Sequence, residues 1–130
     1  MIKDVEDLDV YNRSLRLLKP LGDFVGMIPK DEYHIRHQIM SAAHGIPAQI
    51  AEGFAKRRSV KECKRFWEMA LGSSDEVITH IRSVIVRAFK NISDDDAKSI
   101  IAEYKIVSKQ LNNLIKKWRG KEAIPWEVRP

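Results

Sequence analysis

The sequence lacks most of the features that mark membrane, secreted and metal-binding proteins. Its 130 residues include a single cysteine, Cys63, so an intrachain disulfide is impossible and a cysteine-rich zinc site is excluded. No apolar run approaches the roughly 20 residues that span a bilayer. The acidic N-terminus lacks the basic and then apolar order of a signal peptide. We therefore expect a cytoplasmic protein without membrane association.

Strand-like alternation of polar and apolar residues is also missing, because no five-residue stretch alternates convincingly. Helical periodicity runs through nearly the whole chain, in four amphipathic segments separated by short turns. With 44% hydrophobic residues the chain can bury one core. This pattern predicts an all-α, up-down-up-down antiparallel four-helix bundle over residues 1–120. Residues 121–130 are aperiodic and are predicted to form a tail, in which Trp126 either folds back or anchors a partner.

The first predicted helix has two adjacent apolar faces and is expected to be interrupted at Pro20 and Gly22 before it stops at Pro29. One face consists of Leu8, Tyr11, Leu15, Leu18 and Val25, and the other of Val10, Leu17, Leu21, Phe24 and Ile28.

The third and fourth predicted helices have clear start signals. Ser59 resembles an N-cap, and Glu62 three residues later completes a capping-box pattern for a helix over residues 60–89. Ser93 or Asp94 is predicted to cap the fourth helix. Its apolar residues recur at alternating spacings of three and four, typical of a coiled-coil seam. This seam contains Ile100, Tyr104, Val107, Leu111, Leu114 and Trp118.

The second predicted helix, over residues 32–55, is apolar around about half of its circumference. Pro47 lies inside it without disturbing the apolar period, which predicts a kink rather than an end. A face this wide means either that the helix is central in its own bundle or that part of it meets another subunit. The second alternative assigns five residues to an oligomer interface: Met40, Ala43, Pro47, Ala51 and Phe54.

Small residues occupy mid-helix positions in the second and third predicted helices. An interior glycine costs roughly 0.8–1 kcal/mol relative to alanine, a cost that a close approach of two backbones can offset. We expect such approaches within the chain or between subunits. The residues are Gly45, Ala48, Ala51, Gly53, Gly72, Ser73 and Ser74.

Positive charge is concentrated where the second helix passes into the third. The chain carries a formal net charge of +5, and residues 54–68 contain six bases against two acids. A cluster of this kind attracts phosphate backbones or acidic protein surfaces. It is also found on solvated faces, where pairs such as Lys64 with Glu68 partly neutralise it. The candidate nucleic-acid-binding residues are Lys56, Arg57, Arg58, Lys61, Lys64 and Arg65.

Catalytic and metal-binding patterns are not found. A di-iron bundle requires Glu-x-x-His pairs on two helices, and this spacing does not occur. His37 and His44 are predicted to lie on the surface, away from the isoleucine stripe. No nucleophile elbow or phosphate loop is present. We expect no catalytic residue, no metal and no cofactor, and we regard a small metal-dependent enzyme as the weakest alternative.

Three segments resemble a known family. They are Gln38-Ile-Met-Ser-Ala-Ala43, Ile46-Pro-Ala-Gln-Ile-Ala-Glu-Gly53 and Arg65-Phe-Trp-Glu-Met-Ala-Leu-Gly-Ser-Ser-Asp-Glu76, together with the opening Asp7-Leu-Asp-Val-Tyr11. Over about residues 5–118 the chain resembles the small four-helix-bundle proteins encoded in intervening sequences of bacterial large-subunit ribosomal RNA genes. The same superfamily includes the accessory variability determinants of diversity-generating retroelements.

The resemblance implies a pentameric ring of bundles with a basic surface, which in the retroelement branch binds a reverse transcriptase and its RNA template. Two departures from the family pattern stand out. Gln49 replaces a usual asparagine, and Met40-Ser41 replaces a commonly basic pair. The second change removes positive charge from the second helix. Any nucleic-acid role must therefore rest more heavily on residues 56–65 and on the fourth helix.

Taken together, the sequence predicts a non-enzymatic, basic, oligomeric adaptor that binds an RNA or DNA backbone. In its narrower form, this adaptor is an accessory subunit of a retroelement reverse transcriptase. The alternative is a structural protein-interaction module whose basic face meets an acidic protein.

Overall fold

The computed structural model of the protein describes residues 2–120, and the predicted tail with Trp126 lies outside the described residues. The described chain is all-helical, which confirms the predicted fold class. A 3-10 turn at Val5–Asp7 is followed by five helices: α1 (Asp9–Arg16), α2 (Leu18–Val25), α3 (Tyr33–Ala55), α4 (Val60–Arg87) and α5 (Asp94–Lys117). α1 and α2 together form the first helix of the bundle. They pack against α3 and α5, while α4 packs between α3 and α5.

The interruption in the first bundle helix falls at Leu17, three residues earlier than the sequence predicts. Pro20 causes it, because a proline ring clashes with the carbonyl four residues before it, here that of Arg16. Pro20 itself lies in the first turn of α2, where a missing N–H is harmless. Of the two predicted faces, the one containing Val10 is the core face. The expectation that Leu15 lines the core is wrong, since this side chain is 42% exposed.

α1 is attached to α5 by a buried polar contact that the sequence did not reveal. Asp9 is almost fully buried, and its Oδ2 accepts a hydrogen bond from Gln110 Nε2 at 2.6 Å. Arg13 lies 3.8 Å from the same carboxylate and 3.6 Å from Glu103 on α5. A buried carboxylate needs such partners, so this contact fixes the register of α1 along α5.

The predicted starts of α4 and α5 are confirmed. Ser59 Oγ accepts a hydrogen bond from the Glu62 N–H at 3.2 Å, and Ser93 Oγ accepts one from Asp96. α4 ends two residues before the predicted boundary because Ala88 adopts a left-handed conformation with φ of 53°. The predicted seam of α5 is buried at every position from Ile100 to Trp118. On α4 the largest buried side chain is Trp67, whereas the neighbouring Phe66 is only half-buried.

Most of the wide apolar face of α3 is buried by other helices of the same chain. Pro47 lies inside the helix, as predicted, and is buried. Ala43 and Phe54 are likewise buried within the single chain, because α3 packs against α1, α2 and α4. These three residues therefore belong to the core of the protomer. The oligomer interface stays a prediction, and of its five residues only Met40 and Ala51 are half-buried.

Gly53 provides a close approach between α3 and α4. A Cβ atom at this position would lie 2.7 Å from the Trp67 ring and 2.8 Å from the Cys63 carbonyl oxygen. Trp67 Nε1 also donates a hydrogen bond to the Ile50 carbonyl oxygen at 3.1 Å. Gly72, in contrast, is exposed on α4 with no atom within 4 Å of its would-be Cβ. We therefore expect substitution by alanine to have opposite effects on stability at Gly53 and Gly72.

We expect Gly53→Ala to lower the free energy of unfolding by about 1–3 kcal/mol, because the added methyl group overpacks the Trp67 contact. The matched control, Gly72→Ala, should raise it by about 0.5–1 kcal/mol through helix propensity alone. Urea unfolding followed by circular dichroism measures both. A Gly53→Ala protein as stable as the Gly72→Ala protein would contradict the packing described here.

Candidate nucleic-acid interface

The six predicted binding residues all lie at one end of the bundle, which we call the basic end. They occupy the turn between α3 and α4 and the first two turns of α4. The structure therefore brings together residues that the sequence grouped by spacing alone. The basic end consists of Lys56, Arg57, Arg58, Lys61, Lys64 and Arg65.

The C-terminal end of α5 lies beside the basic end. The rings of Trp67 and Trp118 meet edge to face, with centroids 5.3 Å apart. A Cβ atom at Gly120 would lie 3.1 Å from the Val60 side chain. Arg119 is thus held next to the start of α4, a neighbourhood that sequence reasoning missed. The sequence feature that could have indicated it is the position of Trp118 in the apolar seam of α5, because a seam residue packs against a neighbouring helix.

Three of the six basic residues have partners within the chain. Lys56 pairs with Glu52 at 3.8 Å, and the Arg57 guanidinium donates to the Phe54 carbonyl oxygen at 3.0 Å. Arg65 donates to the Glu62 carboxylate at 3.1 Å, and this hydrogen bond lowers the pKa of Glu62. The two ion pairs lie at the surface, where solvent screening leaves them little stabilising effect, and the partner of Arg57 is a neutral carbonyl oxygen. A phosphate can therefore replace such a partner at little cost.

Two phenylalanine rings help to position these partnered cations. The Arg57 guanidinium lies 4.1 Å from the centroid of Phe54, and that of Arg65 lies 4.6 Å from the centroid of Phe66. Lys56 Nζ approaches the same Phe66 ring at 5.7 Å. An aromatic face attracts a cation without neutralising it. The rings therefore order the side chains while their charge stays available to a ligand.

The other three basic residues, Arg58, Lys61 and Lys64, have no carboxylate within 4.0 Å among residues 2–120. The neutralising pair that the spacing of Lys64 and Glu68 predicted is not formed. Arg58 and Lys61 are exposed and Lys64 is half-buried. With six bases and two acids, residues 54–68 carry a net charge of 6 − 2 = +4. The unpaired trio is the part of the basic end best suited to contact phosphate.

The opposite end of the bundle is mixed in charge. Asp94, Asp95 and Asp96 form the first turn of α5, and Asp96 lines a surface groove together with Asp23 of α2. Glu32, before α3, is ion-paired with Arg87 at the end of α4. Lys30 and Lys90 lie at the same end. The basic end, in contrast, has an excess of bases, which attracts a polyanion.

Metal-binding geometry is not found in the described part of the chain. Among residues 2–120, no three His, Cys, Asp or Glu side chains come together as candidate ligands. His80 lies 3.6 Å from Glu76, and His37 and His44 are exposed on α3. The expectation that the protein holds no metal and is not an enzyme stays a prediction.

Cys63 lies beneath the basic end but is not a reactive thiol. It is fully buried, and this burial raises the pKa of the thiol to about 12. The positive charges of Arg57 and Lys64 act in the opposite direction, and burial outweighs them. Because the thiolate is the nucleophile, Cys63 is a core residue rather than a catalytic one.

The fold and the basic end together define a small all-α bundle with its positive charge concentrated at one end. The sequence profile of the 23S rRNA-intervening sequence protein family matches residues 6–113, and the chain belongs to this family. This confirms the ribosomal branch of the resemblance stated above. The link to retroelement accessory proteins stays a prediction.

A solved structure supports the fold independently. A protein of unknown function from Bacteroides thetaiotaomicron, of the S23 ribosomal protein family, is similar with a TM-score of 0.71. The alignment covers 83% of this chain and 99% of that chain at 22% sequence identity, which shows a common fold alone. No curated protein matches the sequence. None of the helices between residues 2 and 120 has the length and apolar character that a bilayer span requires.

We expect Cys63 to resist alkylation by iodoacetamide in the folded protein. A pKa of about 12 instead of 9.0 leaves about a thousandfold fewer thiolates at pH 8. Mass spectrometry after timed exposure, with and without urea, measures the difference. Modification at equal rates in both conditions would show that the thiol is accessible and contradict its assignment to the core.

Proposed function

We propose that this protein is a non-enzymatic adaptor that binds the phosphate backbone of RNA through its basic end. The observation that carries the proposal is the trio of Arg58, Lys61 and Lys64, for which no carboxylate of the described chain serves as a partner. A phosphate oxygen is the natural counter-charge for such groups. Membership of a family named for a ribosomal RNA intervening sequence favours RNA over DNA as the ligand.

Self-association strengthens this proposal. A pentamer, as the resemblance implies, carries five basic ends on one particle. Contacts that are individually weak then act together, because the second and later contacts form at a high effective concentration. Binding by such a particle should be tight at low salt and fall steeply as salt is added.

A narrower form of the proposal makes the protein an accessory subunit of a reverse transcriptase. It rests on the resemblance to retroelement accessory proteins rather than on any contact within the chain. Co-purification with a reverse transcriptase encoded beside its gene would support it. A gene inside a ribosomal RNA operon with no such neighbour would contradict it.

We expect the triple variant Arg58→Glu/Lys61→Glu/Lys64→Glu to bind RNA more than tenfold more weakly, because three unpaired phosphate contacts are lost. The fold should persist, since Arg58 and Lys61 are exposed and an acidic residue is favourable at Lys61, in the first turn of α4. Fluorescence anisotropy with a labelled single-stranded RNA at about 50 and 200 mM salt measures the loss.

The matched control changes the same amount of charge elsewhere. Lys19, Lys30 and Lys90 are exposed and lie outside the basic end, so their replacement by glutamate should weaken binding far less. Equal losses in both variants would mean that net charge, not the basic end, governs binding. If the parent protein binds no RNA even at low salt, the proposal fails and an acidic protein partner becomes the better reading.

Light scattering of the purified protein tests the assembly. A pentamer should give a mass of five times 15.0 kDa, and the Arg58, Lys61 and Lys64 triple variant should give the same mass. A monomer over the micromolar range would contradict the pentamer and leave each basic end to act alone.

A further inference from the structure

A second cationic surface runs along the side of the bundle. Four lysines of α5 are spaced by seven, four and seven residues, which on a helix of 3.6 residues per turn places them within about 20° of one line. At 1.5 Å per residue the line is about 27 Å long. We call it the lysine stripe: Lys98, Lys105, Lys109 and Lys116.

The stripe is exposed and unneutralised. All four lysines are exposed, and none has a carboxylate within 4.0 Å in the described part of the chain. The residues between them on the same line, Ala102 and Asn112, are exposed and uncharged. The carboxylate of Glu103 faces α1 instead, where it pairs with Arg13 at 3.6 Å. Four exposed like charges along one helix create a local positive potential that attracts an anionic ligand.

α4 adds to this surface from the other side of a shallow groove. The groove has a volume of about 250 Å³, and Arg82 lines it opposite Lys105. Thr79 contributes a hydroxyl group to the same groove. The carboxylate of Asp75 also lines the groove and accepts a hydrogen bond from Ser108 at 2.8 Å, so the Ser108 hydroxyl is engaged within the chain. Lysine, arginine and hydroxyl side chains are among the usual contacts of a phosphate backbone.

The two ends of the stripe differ. Lys116 lies in the last turn of α5, at the same end of the bundle as the start of α4. Lys98 lies one turn after Asp94 and Asp95, at the other end of α5. The stripe therefore runs from beside the basic end along one side of the molecule to the start of α5. A bound polyanion would extend from the basic end along α5.

The chemistry of the stripe favours a duplex over a single strand. Proteins hold single strands by stacking bases on exposed aromatic rings. The aromatic residues nearest the stripe, Tyr104 and Trp118, are buried, and none of the stripe positions is aromatic. Duplexes are held by contacts to the backbone. At 1.5 Å per residue, successive stripe positions rise by about 6 and 10 Å along α5, a range similar to duplex groove widths of about 6 to 12 Å.

We propose that the lysine stripe and Arg82 form a binding surface for the phosphate backbone of a nucleic-acid duplex, distinct from the basic end. This inference rests on the proposed nucleic-acid function and extends it to a ligand class. The surface reads no base sequence, because lysines that contact phosphate carry no sequence information.

The test replaces all four stripe lysines by glutamine, which keeps helix propensity nearly unchanged. Binding of labelled duplex RNA and duplex DNA, each of about 20 base pairs, is compared with binding of single-stranded RNA. For at least one duplex we expect affinity to fall more than tenfold and the salt slope to fall by about 3 to 4. The duplex whose affinity falls, RNA or DNA, identifies the nucleic acid that the stripe binds. Single-stranded binding at the basic end should change by less than about threefold.

The control removes four positive charges outside both surfaces, with Lys19, Lys30, Lys90 and Arg36 replaced by glutamine. It should leave duplex binding close to that of the parent. Duplex binding equal in the stripe variant and the parent would overturn the stripe, while the proposed function at the basic end would stand. Equal losses in the stripe variant and the control would overturn it as well, since net charge would then explain both. If the parent protein binds neither single-stranded RNA nor a duplex, both proposals are overturned.

Discussion

The contact that the rest of the structure depends on is the position of Trp67 between three helices. From α4, its ring packs against Gly53 of α3 so closely that a Cβ atom there would lie 2.7 Å away. Its N–H is bonded to the Ile50 carbonyl oxygen of α3, and its ring meets Trp118 at the end of α5. This one side chain joins α3, α4 and α5 directly beneath the basic end. The basic residues therefore extend from a rigid base, which lowers the entropy that binding must overcome.

Charge is distributed along the bundle rather than cancelled. The ion pairs at the basic end are at the surface and weak, so they reduce the positive potential only slightly. Arg58, Lys61 and Lys64 at the end and four lysines along α5 have no acidic partner in residues 2–120. One acidic cluster, Asp94 to Asp96, forms the first turn of α5 at the far end of the bundle. A polyanion that approaches this molecule thus meets one attractive end and one attractive side.

Much of the fold could be predicted from local signals. The bounds of α3 and the starts of α4 and α5 agree closely with the sequence pattern, because apolar periodicity and the serine caps of α4 and α5 act within a few residues. The interruption at Leu17 was placed too late because the steric effect of Pro20 acts four residues before it. The buried contact between Asp9 and Gln110 joins residues about a hundred positions apart, and no local pattern could indicate it.

The sequence by itself determined the four helices of the bundle, the serine caps of α4 and α5 and the positive charge of residues 54–68, since each depends on neighbours within one or two helical turns. Only the tertiary structure decided which surfaces are interior and which charges stay unpaired. Ala43 and Phe54 are covered because three helices meet α3, and Lys64 lacks a partner although Glu68 has suitable spacing. Both outcomes depend on distances between side chains, which spacing along the chain does not fix.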